Sequence, residues 1–184
     1  MKCAIKFSWS GVKNSYISKI RLEGYNTVDQ VLKLDTGAAN TILSLLDLNS
    51  LFGFIKYKAE DLENIFSLYK VPCKGFSTVS GGILYGYPCK LTNIIINNTI
   101  IPEFYFFLCL DDLNEISLLG ADFIRSCSLS KNIDGAIYIE EINFKRYDAN
   151  FRVAIKNTTL VALNCLDDCK DYAASFRKVY GAEN

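Results

Sequence analysis

"VLKLDTGAANTILS", residues 31–44, reads as an apolar strand that stops at a carboxylate, Asp35, and passes into a turn of small residues. Its place inside a run that otherwise reads as a buried strand makes Asp35 look buried, a costly place for an acid unless the chain has a use for it. Thr36 and Gly37 supply one. Glycine removes the side chain and permits a tight turn, and a threonine hydroxyl can hydrogen-bond to backbone and brace the loop. Such a loop presents an acid rigidly, although Asp-Thr-Gly also makes an ordinary Asx-type turn at a strand end.

With 184 residues, 50% of them hydrophobic, the chain suits one domain with a substantial core. Lysine plus arginine balance aspartate plus glutamate at 20 each, so no basic field exists to hold nucleic acid or an anionic membrane. Lys6 and Ser8 interrupt the start before an apolar region of signal-peptide length develops, and no later stretch stays apolar for a membrane span. The expected compartment is the cytoplasm. The 7 cysteines, several inside strand-like runs, agree with reduced, packed thiols. The absence of histidine removes Ser-His and Cys-His nucleophile pairs and most zinc sites. Cys165 and Cys169 have metal-hairpin spacing but no second pair, so neither metal nor cofactor is expected.

Residues 16–23 and 29–35 read as strands, and a helical pattern occupies about 45–70, where Leu62, Ile65, Phe66 and Tyr69 share one face. Two hairpins follow, one turning at Ser80-Gly81-Gly82 and one at Asn97-Asn98. The aromatic run at 104–107 reads as sheet core, and Asp134-Gly135 as a hairpin turn before a strand at 136–142. Further strands are expected at 151–156 and 159–165, then a helix at about 167–180.

Asp35-Thr36-Gly37-Ala38, entered from "QVLKL" and followed by Thr41, Ile42 and Leu43, resembles the active-site loop of the retropepsin-like aspartic proteases. Leu118-Leu119-Gly120, leading into Ala121-Asp122-Phe123-Ile124, is similar to that family's second element, two apolar residues and a glycine before a short helix. Ser80-Gly81-Gly82 with its flanking strands falls where the family places a flap hairpin. Two positions depart from the pattern: Ala39 and Ala121 stand where members often carry a mutually paired acid and arginine.

The resemblance implies a mainly β, retropepsin-like barrel with a flap, here with extra helices at about 45–70 and 167–180. It implies a protease domain over 1–145 and a strand-helix extension over 146–184. Asp35, Thr36 and Gly37 would form the catalytic loop. Ala38, Ala39, Asn40, Ser80, Gly81, Gly82, Leu119 and Gly120 would line the substrate. One Asp-Thr-Gly is half a site, so activity implies a homodimer acting on a peptide or protein. The competing expectation is a catalytically silent module that keeps the fold and holds a peptide in strand fashion.

Overall fold

The computed structural model describes residues 1–111, 117–156 and 160–165. In chain order come β1 (Lys2–Ser10), β2 (Ser15–Leu22), β3 (Gln30–Leu34), β4 (Ile42–Ser44), α1 (Leu45–Phe52) and α2 (Ala59–Leu68). Then follow β5 (Lys74–Ser77), β6 (Ile83–Ile96), β7 (Thr99–Cys109), β8 (Leu118–Leu119) and α3 (Ala121–Ile124). The order ends with β9 (Cys127–Lys131), β10 (Ile137–Ile142), α4 (Phe144–Ala154), β11 (Val161–Ala162) and a 3-10 turn, Leu163–Cys165.

Six strands close into a mixed barrel in the order β2, β3, β8, β4, β7, β6 and back to β2. Pairing is parallel between β3 and β8 and between β4 and β7, and antiparallel elsewhere in the ring. The mainly β, closed barrel is the architecture that the sequence leads one to expect. Leu32, Leu43, Leu91, Ile94, Ile101, Phe104, Phe106 and Leu119 are fully buried in the core, each stabilising the fold by about 1.5–3 kcal/mol relative to exposure. Outside the ring, β1 pairs with both β2 and β10, and β10 with β9. The 14-residue β6 serves both hairpins: it pairs with β5 at one end and with β7 along its length.

All four residues of the 104–107 run are buried, because a helix covers the side of β7 that alternation alone would leave wet. Phe151 of α4 stacks near Tyr105 and Phe107, with ring centroids 5.2 Å apart in each case. That helix corrects the expected strand at 151–156. Asn143 caps it by accepting from the Arg146 N–H, and Tyr147 and Phe151 then fall one turn apart on the buried face. The Tyr147 hydroxyl accepts from the Tyr105 N–H at 2.7 Å and donates to the Tyr105 carbonyl at 3.0 Å, completing β7 where β4 does not reach.

The helical stretch at 45–70 is two helices. Ser44 caps α1 by accepting from the Asp47 N–H, and Gly53 ends it at φ 80°. Of the strand expected at 159–165, the described residues form Val161–Ala162, which adds in parallel to β6 at Cys89 and Lys90 before the 3-10 turn. The helix expected at 167–180 lies outside the described residues. Among the described residues no helix is long and apolar enough to cross a membrane.

Candidate active site

Strand β3 delivers the Asp-Thr-Gly loop to one end of the barrel. Its parallel pairing with β8 sets Leu34 beside Leu119, and the Asp35 N–H donates to the Leu119 carbonyl at 3.0 Å as the last rung. The chain then leaves the sheet. Asp35 Oδ1 accepts from the Gly37 N–H at 2.9 Å and the Ala38 N–H at 3.2 Å. A Cβ on Gly37 would stand 3.3 Å from that same oxygen, so glycine leaves the carboxylate room to receive its donors. Asp35 Oδ2 accepts no hydrogen bond among the described residues.

Asp35 is exposed, not buried as its apolar surroundings suggest, because the strand ends at Leu34 and the acid sits one residue past its end. Thr36 is exposed as well, and the hydroxyl that ties the loop down belongs to Thr41. Thr41 Oγ1 accepts from the Gly120 N–H at 3.1 Å and donates to Asp122 Oδ1 at 2.7 Å. Asp122 also accepts from the Thr41 N–H at 2.9 Å and from the Phe123 N–H at 2.7 Å. Two backbone bonds finish the seam: Ala121 N–H to the Ala38 carbonyl, 2.8 Å, and Asp122 N–H to the Ala39 carbonyl, 3.1 Å. Gly120 is required by close approach, since a Cβ there would lie 2.4 Å from both the carbonyl carbon and the oxygen of Asn40. Gly120, Ala121 and Asp122 are therefore brought against Asn40, Ala38 and Ala39.

Asp122 is the residue the sequence reading misses. It is 6% exposed and carries the clamp between the two loops, with uncharged alanines at 39 and 121 on either side of it. Burial pushes its carboxyl above the ordinary value, against the pull of the Thr41 amide, the Thr41 hydroxyl, the Phe123 amide and the Asn40 side chain. The only signal in the sequence is an acid directly after Gly120-Ala121, at the start of a four-residue helix.

Ser80, Gly81 and Gly82 sit apart from this seam, at the tip of the β5–β6 hairpin. Gly81 has φ 86°, and the tip closes on itself through Thr78 N–H to the Gly82 carbonyl, 2.9 Å, and Gly81 N–H to the Thr78 carbonyl, 3.0 Å. The hairpin meets the Asp35 loop at its root instead, where Lys74 Nζ donates to Asn40 Oδ1 at 3.0 Å. Asp134-Gly135 forms the β9–β10 turn, with Gly135 at φ 80° and its N–H on the Asn132 carbonyl. Among the described residues no three His, Cys, Asp or Glu side chains gather to hold a metal. Asp167, Asp168, Cys169 and the Cys165 side chain lie outside the description.

No family model and no curated protein matches the chain. Among solved structures it is similar to a retropepsin-like aspartic protease from Rickettsia conorii, with 19% identity, TM-score 0.49, 76% of this chain covered and 100% of the other. It is also similar to EIAV protease complexed with the inhibitor HBY-793, with 18% identity, TM-score 0.36, 61% of this chain covered and 88% of the other.

Proposed function

We propose that the chain is an aspartic endopeptidase working as a homodimer, with one Asp35 from each copy. The observation that supports this best is the placement of Asp35: exposed on a braced loop, one carboxylate oxygen held by two backbone N–H groups and the other left open. A carboxylate held rigidly at the surface of a single chain is suited to meeting its own copy across a two-fold axis.

Two carboxylates about 3 Å apart cannot both ionise, so the pair holds one shared proton. The charged member takes a proton from water as the water oxygen bonds to the peptide carbonyl carbon. The neutral member gives its proton to the carbonyl oxygen. The C–N bond then breaks as the nitrogen accepts a proton and the diol returns one to the pair, leaving one carboxylic acid, one amine and the shared proton restored. The β5–β6 hairpin serves as the flap, its Gly81-Gly82 tip giving backbone freedom to close over an extended peptide. Ala38 and Ala39, which stand at the surface, offer the floor on which that peptide lies, backed by the buried Leu119, Gly120 and Asn40.

Asp35→Asn tests the reading. Incubated with a diverse peptide mixture, the variant is expected to lose cleavage while remaining dimeric in sedimentation. Turnover of the same order as the native protein contradicts the mechanism. A native protein that binds peptides but cleaves none is the silent module.

A further inference from the structure

At the root of the hairpin, the Lys74 ammonium is held in place, among the described residues, by neutral groups. Its Nζ donates to Asn40 Oδ1 at 3.0 Å and lies 5.4 Å from the ring centre of Phe76 and 5.2 Å from that of Phe107. Lys74 is half-buried, and no carboxylate forms an ion pair with it among the described residues. Among the described residues one of its three N–H donors is occupied, which leaves two for an incoming group.

This placement is built. Asn40 is 6% exposed, its side-chain oxygen faces Lys74, and the same side chain helps hold the charge of the neighbouring Asp122 carboxylate. Phe107 is fixed by its own N–H on the Thr41 carbonyl, 2.9 Å, next to Asn40 in the chain. The cation is thus positioned by the same clamp that braces the Asp35 loop. Among the described acids, Asp122 is buried and saturated with donors, Asp111 lies near Cys73 and Cys109 but forms no ion pair with Lys74, and position 39 is alanine. A half-buried ammonium among neutral partners attracts an anion more strongly than one in open water.

We infer that Lys74 is a specificity-determining residue that receives an acidic side chain of the substrate, so that the preferred peptides carry Glu or Asp at a fixed distance from the scissile bond. The inference rests on the endopeptidase reading and names its substrate class. Two-fold symmetry places one Lys74 on each side of the cleft, so the preference falls at matching distances on both sides of the bond.

The test uses apolar decapeptides carrying Glu or Gln at each position in turn, with native protein, Lys74→Met and Lys74→Arg. Native protein is expected to favour Glu over Gln by about 5- to 10-fold in kcat/KM at the matching positions. That ratio falls to about one in Lys74→Met and persists in Lys74→Arg, which keeps the charge. A Glu-to-Gln ratio equal in native protein and Lys74→Met overturns the inference. Binding of the same peptides, fluorescein-labelled, to Asp35→Asn with and without Lys74→Met separates the two readings. Cleavage without acidic preference removes the inference and leaves the protease. A Lys74-dependent preference in binding, with no cleavage by native protein, does the reverse.

Discussion

Replacing Asp122 by alanine tests the clamp between the Asp35 loop and the Gly120 loop. The carboxylate accepts from the Thr41 N–H, the Thr41 hydroxyl and the Phe123 N–H, all buried. The Phe123 N–H keeps a second acceptor, the Gly120 carbonyl at 3.2 Å, so the alanine variant orphans two Thr41 donors in place. At about 1–3 kcal/mol for each unsatisfied buried donor, and allowing for relief from burying a charge, the loss is about 2–5 kcal/mol. Asp122→Asn retains one acceptor oxygen, so its loss is smaller, about 1–2 kcal/mol. The assay is urea unfolding at fixed protein concentration. A midpoint for the alanine variant within about 0.5 kcal/mol of native refutes the clamp. A pH series adds a sign. Burial raises the Asp122 carboxyl above its ordinary 3.8 in the folded chain, so the native state binds its proton more tightly than the unfolded state does. The stability this contributes is complete below the unfolded value and is lost as pH rises through the raised native one. Asp122→Asn removes that decline, and an unchanged difference between variant and native across the window contradicts it.

Two further substitutions probe the frame of the site. Gly120→Ala drives a Cβ to 2.4 Å from the Asn40 backbone, which has no flexible end to move aside; a loss of about 2–4 kcal/mol in the same unfolding assay is expected, and a neutral effect rules out the close approach. Tyr147→Phe leaves the Tyr105 N–H and carbonyl without their phenol partner in a buried position; the expected cost is about 1–3 kcal/mol, and equal thermal midpoints for variant and native show that β7 finds another partner there.

The Asp-Thr-Gly loop is legible in the sequence because its physics is local: an apolar strand, an acid, and a glycine that opens the turn. Leu118-Leu119-Gly120 is legible as a motif, yet the reason for its glycine is not, since the Asn40 backbone it must clear lies far away in the chain. Asp122 is hidden for the same reason, because the donors that justify its burial are on Thr41, 81 residues earlier. Burial of Asp35 is misread from its apolar surroundings, whereas strict alternation puts it on the face of Val31 and Lys33, away from Leu32. In the tail, the local signal is present and competes: "NFRVAI" reads as a strand by composition, while Phe144, Tyr147 and Phe151 after the Asn143 cap carry the helical spacing. The unread β1 shows the plainer case, with Ile5 and Phe7 alternating against Lys6 and Ser8 in a period of two.

The account depends on two Asp35 carboxylates, one from each copy, sharing a single reaction. Mixing native protein with Asp35→Asn at equal total concentration, after subunit exchange, measures that sharing directly. If both acids are needed, an equimolar mixture keeps about a quarter of the native activity, because only dimers with two native subunits work. Activity at about half the native value, falling in proportion to the variant added, contradicts the account and assigns the chemistry to each chain alone.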